Sequence, residues 1–233
     1  MMVSEFAKTI DDPSIREAIA LQGVEETRHG RLMEYFVDRY EIPIGPVDMV
    51  QPAPTREEFI EFGYEECLDA FLGFGLFGIA RGKPDFMPPA LLDVFQNILL
   101  EEARHTTFFI NWIRYEEARA GRDGYVVRTP RTVANYVRSL RRLIASFSGD
   151  VNASGFIASG ATDVIADVTP QMFLETAIRE HRRYMGMLDP RLKKPALLPT
   201  LAGVALTALR ALPPREHAAP ASTLHAADIR TAA

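Results

Sequence analysis

The chain has 233 residues, 47% of them hydrophobic and 24% charged, with a formal net charge of -5, which is the composition of an ordinary globular protein long enough to build one real core. The acidic balance, with no basic stripe interleaved with aromatics, argues against a nucleic-acid binder. The single cysteine, Cys67, excludes an intrachain disulfide, and with no charged n-region leading into an apolar h-region the chain reads as cytoplasmic.

Almost nowhere does the sequence alternate as a strand does, whereas proline and acidic or hydroxyl residues recur where helices should begin, so the expected fold is all-α. Met2 to Ile10 reads as the end of a helix. Asp11-Asp12-Pro13 opens a helix running to about Tyr40, and Thr55 with Glu58 forms a capping box for one ending near Gly82. Pro88-Pro89 opens a third long helix, which passes Trp112 and stops at Gly121. Thr129-Pro130 is expected to begin a fourth, and Thr169-Pro170 a fifth that ends before Asp189-Pro190. Between those two lies a glycine-bearing stretch around Gly149 to Gly160.

The longest apolar stretch, Ala196 to Leu209, is interrupted by Pro199 and falls short of the roughly 20 residues a membrane span needs. Lys193, Lys194 and Arg210 flank it without the strongly basic face of a membrane-surface helix, so docking on the protein or on a second copy is expected, and a homodimer is open. The Ala-rich segment from Pro214 to Ala233 is expected to be disordered. The expected organisation is a core over residues 1-125, a helical extension over 126-213 and a tail over 214-233.

One internal repeat carries chemistry. Val24-Glu-Glu-Thr-Arg-His29 and Leu100-Glu-Glu-Ala-Arg-His105 agree at four of six positions. Residues three apart on a helix share a face, so Glu26 with His29, and Glu102 with His105, can each reach one point. Those faces also carry Ile19, Gln22, Met33 and Phe36 in the first helix, and Phe95, Ile98, Phe109 and Ile113 in the second, which is a core pattern. A carboxylate turned into such an interior needs a positive partner. Arg28 and Arg104 lie about 200° round the helix from the motif glutamates and are expected to face outward, which leaves a metal ion. Two carboxylates and two imidazoles from facing helices suit a dinuclear iron or manganese site in a bundle.

The paired Glu25-Glu26-x-Arg28-His29 and Glu101-Glu102-x-Arg104-His105 motifs resemble the [D/E]-E-x-R-H pair of the ferritin-like di-iron carboxylate superfamily, over about residues 3 to 120. That resemblance implies a four-helix bundle in which the second and fourth helices each supply Glu-x-x-His and the first and third a single glutamate. Glu66 is the choice for the third-helix ligand, because Phe59, Phe62, Gly73 and Phe77 share its helix face and it lies 36 residues before Glu102, with Glu65 the alternative; the resemblance also implies an orienting role behind the histidines for Glu25 and Glu101. The superfamily's first-helix glutamate has no counterpart, because it would precede Glu26 by roughly 30 residues and Met1 precedes it by 25. Glu175, Glu180 and His181 are the substitutes within the chain, if the helix after Thr169 takes the place of the first. The implied cofactor is two iron ions, with manganese as the alternative. The implied activity is an O2-dependent oxidoreductase of the oxygenase, hydroxylase or desaturase kind acting on a small organic substrate. Iron handling and a degenerate interaction module are the other two readings.

Cys67 reads as a small hydrophobe, Gly73, Gly75 and Gly78 as close helix packing, and His217 and His225 as bystanders.

Overall fold

The computed structural model describes residues 2–39, 41, 54–83, 89–147 and 168–211. Among them are seven helices and no strand: α1 (Met2–Ala7), α2 (Pro13–Arg39), α3 (Arg56–Arg81), α4 (Pro89–Arg119), α5 (Tyr125–Phe147), α6 (Pro170–Gly186) and α7 (Leu197–Ala211). None is long and apolar enough to cross a membrane. The glycine-bearing stretch and the Ala-rich tail lie outside the described residues.

Local chemistry sets most of the boundaries. Asp12 Oδ1 accepts the amides of Ser14 and Ile15 at 2.9 and 3.2 Å, capping α2 ahead of Pro13. The capping box forms as the sequence predicts, with Glu58 N donating to Thr55 Oγ1 at 3.2 Å and Thr55 N to Glu58 Oε2 at 2.7 Å. α4 stops where Gly121 takes φ 64°, a left-handed conformation natural to glycine, and Arg122 N then returns to Glu117 O at 2.8 Å. Thr169 caps α6 through Met172 N at 3.1 Å.

One boundary differs from expectation. The fourth long helix begins at Tyr125, and Pro130 lies inside it instead of opening it. Pro130 is the sixth residue of α5; it cannot donate the bond to the carbonyl four residues back and crowds that carbonyl, a disruption confined to the first two turns, where the leading amides need no helical partner.

α3 is the hub, packing on α4, α5 and α6, which explains why it carries apolar residues all round. Gly75 and Gly78 let α6 approach: a Cβ on Gly75 would lie 3.0 Å from Phe173 and Ala177, and one on Gly78 2.6 Å from Thr176. α1 doubles back on α2, where a Cβ on Gly23 would overlap Ser4 Oγ at 2.3 Å. Phe6 of α1 stacks on Phe59 of α3 at 3.8 Å and meets Trp112 of α4 edge-on at 5.7 Å. This aromatic cluster fastens one end of α1, α3 and α4, and truncating Phe59, which is fully buried, costs about 3–5 kcal/mol by the usual core scale. α5 is fixed to α3 by Arg138 and Arg142 on Glu61 and Glu65. α7 docks on α6 and α3 through Ala202 and Leu206.

Candidate metal centre

The two motif helices face each other across a polar layer. Glu25 of α2 meets His105 of α4, and His29 of α2 meets Glu101 of α4. Advancing four residues on α2 thus means retreating four on α4, so the helices run antiparallel and the two motifs lie in pseudo-twofold register.

Each leading glutamate reaches across to the other motif. Glu101 Oε2 lies 2.7 Å from His29 Nε2, and Glu25 Oε2 lies 2.7 Å from His105 Nε2. The arginines complete the clamp, because Arg28 pairs with Glu101 and Arg104 Nη2 with Glu25 at 2.9 Å. Arg28 and Arg104 have exposed stems, as their angle on the helix predicts, but their tips return over the rim to hold these carboxylates. Glu25 and Glu101, expected to stand behind the histidines, each contact the histidine of the opposite helix and not that of their own.

With each Nε2–H directed at a carboxylate, both Nδ1 atoms are left facing the interior. His29 Nδ1 lies 3.2 Å from Glu102 and 3.6 Å from Glu26, while His105 Nδ1 lies 2.8 Å from Glu26 and 3.9 Å from Glu102. His105 is 1% exposed, and its Nδ1 has no well-directed hydrogen bond despite that proximity. Glu26, His29 and Glu102 each offer a ligand atom, all within 4.8 Å of one another. Four of the five residues implied as ligands therefore converge.

Glu66 stands behind them on α3. Its carboxyl is pushed well above the usual range, first by burial and then by the charges of Glu102 and Glu26, with Asp69 adding to the effect. Asp69, one turn further along α3 and not foreseen from the sequence, is raised to about 6 by burial and by Glu65 and Glu102. Its spacing of three from Glu66 was the available signal. Burial opposes charge on Glu26 and His29, yet their mutual contacts win: Glu26 is lowered to about 2, with His105 and His29 as its partners, and His29 is raised to about 10 by Glu102, Glu26 and Glu101. His105 is raised as well, by Glu26 and Glu102 against its burial. The two Nδ1 atoms and the carboxylates of Glu26 and Glu102 thus face a common centre.

The other candidates go elsewhere. Glu65 turns to Arg142 of α5. Glu175 is paired with Arg210 at 2.8 Å on the surface. Glu180 is held by Arg81, Arg183 and Arg179 at 3.0, 3.1 and 3.2 Å. His181 packs edge-on against Phe71 and Phe74. α6 does pack on α3 and α4, but it presents Tyr184 and Met185 to Leu99 and Ala103, so the substitution expected of Glu180 or His181 is not what this packing delivers. Cys67 is a buried free thiol raised to about 12 by burial, in keeping with an inert core residue.

The donor set suits divalent iron or manganese: imidazole nitrogens and carboxylate oxygens, with the far ring nitrogens tied to carboxylates in the carboxylate–histidine–metal manner. Comparison with protein-family models, with curated proteins and with solved structures finds no match to this chain.

Proposed function

We propose that the chain is a ferritin-like di-iron carboxylate protein and acts as an O2-dependent oxidoreductase on a small organic substrate. The observation that carries this reading is the crossed arrangement of the motifs: each leading glutamate fixes the opposite histidine by Nε2, turning both Nδ1 atoms toward Glu26 and Glu102. In this reading Glu26, His29, Glu102 and His105 would hold the metal, with Glu66 as a further carboxylate donor. When bound, ferrous ions supply the electrons for O2 reduction that no side chain here can supply.

The chain's own residues do the rest. Glu25 and Glu101 hold the imidazole tautomers, with Arg104 and Arg28 fixing those carboxylates in turn. Glu66 and the imidazoles give up protons as metal enters, which makes uptake pH-dependent.

A second reading is favoured by one feature. Glu175, Glu180 and His181 are all engaged elsewhere, so within the chain the site has three glutamates and two histidines, and less charge to neutralise a second divalent ion. A site that fills once tightly and a second time weakly follows from this, and at the extreme a ferritin-like protein without redox turnover. Loading with ferrous iron under anaerobic conditions and then admitting O2 separates the two. Oxidase or ferroxidase chemistry consumes O2 in proportion to bound iron and loses that consumption in His105→Ala, whereas a degenerate site binds at most one ion and consumes none.

A further inference from the structure

α5 has the basic face that α7 lacks. Its 23 residues hold five arginines and no acidic residue, and residues 119–145 hold seven arginines against one aspartate in a chain whose net charge is -5. One face of the helix rests on α3, where Tyr136, 7% exposed, meets Tyr64 at 5.0 Å. Val126, Val133, Val137 and Leu140, spaced seven, four and three residues apart, form a stripe turned about 70° from Tyr136. Nothing covers that stripe: the four are 83, 43, 43 and 46% exposed.

Arginines border it. Arg131, Arg138 and Arg142 share the adjoining face at spacings of seven and four, and Arg141 lies one turn beyond Val137. Arg138 and Arg142 are held by Glu61 and Glu65 of α3, whereas Arg131 and Arg141 are exposed and enter no ion pair among the described residues. Whatever docks here must be apolar along the stripe and anionic beside it.

A second copy meets only the first condition, because pairing α5 with itself sets arginine against arginine with no acid on either helix to answer them. A protein that engulfs a basic amphipathic helix needs access all round it, and α3 occupies one side. Nucleic acid calls for aromatic stacking platforms, and the stripe is aliphatic. Valine is also under-represented among the residues that dominate protein–protein binding. A bilayer asks for no pocket: one apolar face enters the acyl boundary while arginines beside it stay at headgroup level.

We propose that α5 is a membrane-surface helix that docks the protein lengthwise on a bilayer containing anionic lipids. The stripe from Val126 to Leu140 enters the boundary, and Arg131 and Arg141 pair with the anionic headgroups.

The test is flotation of the full-length protein with vesicles of phosphatidylcholine alone and with vesicles that also hold about 30% phosphatidylserine, enough for a strongly negative surface. Binding to the anionic vesicles is expected to be at least about tenfold tighter and to weaken as salt screens the surface. Arg131→Gln with Arg141→Gln, which breaks no ion pair of the fold, should weaken it about thirtyfold, at about fivefold per charge. Val137→Asp with Leu140→Asp should abolish it, while Val204→Asp on the exposed face of α7 should leave it unchanged. The arginine pair keeps the test decisive even if the aspartates disturb the helix. The proposal is overturned if the native protein fails to float with anionic vesicles at about 2 mM lipid, about twentyfold above the level at which a single myristoyl chain half-binds. Equal binding to neutral vesicles overturns it, as does release by Val204→Asp but not by the α5 variants. Light scattering covers the second copy: a dimer that Val137→Asp dissolves would assign the stripe to self-association and overturn the proposal as well. Metal content does not enter these readouts, so the result is independent of the metal reading.

Discussion

α3 borders two buried carboxylate environments, at Glu66 and at Arg81, about 22 Å apart along the helix axis, and the protein treats them in opposite ways. Beside Arg81, Glu180 of α6 is enclosed by three guanidinium groups, one of which also donates to the Tyr184 hydroxyl, and its carboxyl is lowered by Arg183, Arg81 and Arg179 in spite of burial. Among the described residues no arginine acts on Glu66. Its neighbours are Glu102, Glu26 and Asp69, and its carboxyl is driven up. Where the fold supplies its own cations, burial of a carboxylate is structural. Where it supplies acids and imidazoles, with the arginines kept at the rim on Glu25 and Glu101, the positive charge facing those acids rests on imidazoles whose pKa values the same acids raise.

The largest expected effect lies at the structural end. Glu180→Gln leaves Arg81 and Arg183 without their carboxylate and is expected to lower stability by about 2–3 kcal/mol, less than a fully buried pair because the arginines are partly exposed. Chemical denaturation of the metal-free protein reads it, and metal binding is expected to stay unchanged. A cost near zero would mean that this cluster is not structural.

The same junction carries a pH dependence of similar or smaller size. His181 is buried and lowered to about 4 by desolvation, against a hydrogen bond to the Pro195 backbone that raises it. A histidine with a depressed folded-state value binds fewer protons folded than unfolded. Its stability is full above the unfolded value of about 6.5 and is lost as pH falls from there toward 4, by up to about 3 kcal/mol. The slope of unfolding free energy between pH 6.5 and 4 should flatten in His181→Phe. An unchanged slope would assign the acid sensitivity to other groups.

Smallest, and opposite in sign, is Glu66→Gln. Removing a carboxyl that leans on two others is expected to stabilise the metal-free protein by about 1 kcal/mol while weakening its hold on metal. A loss of stability in the metal-free state would erase the contrast between the two ends of α3.

Much of this is legible in the amino-acid sequence. Asp12-Pro13, the Thr55–Glu58 box, Gly121 and Thr169-Pro170 punctuate the helices because capping is local chemistry between residues two to four apart. Pro130 misled for the same local reason: proline is favoured at a helix start but tolerated a little past it. The motif histidines and glutamates were readable because their spacing fixes a shared face. That Glu101 would meet His29, and Glu25 His105, depends on the antiparallel register of two helices whose motifs lie 76 residues apart, and nothing within six residues encodes that. The choice of Glu66 over Glu65 rested on helix phase, and the structure puts the two on different partners, Glu65 on Arg142 and Glu66 by the cluster. The fate of Glu180 was hidden because Arg81 is 99 residues away in sequence.

The most direct test of the account is iron stoichiometry of the full-length protein reconstituted anaerobically with ferrous iron, in the native sequence and in His29→Ala, His105→Ala, Arg28→Ala and Glu180→Gln. The expected result is one to two irons per chain in the native protein and in Glu180→Gln, a modest loss in Arg28→Ala on the scale of an orienting contact, about ten- to a hundredfold in affinity or less, and near-complete loss with either histidine replaced. Native protein that takes up no iron, or iron that remains when both histidines are gone, would contradict the assignment of this cluster as a metal centre.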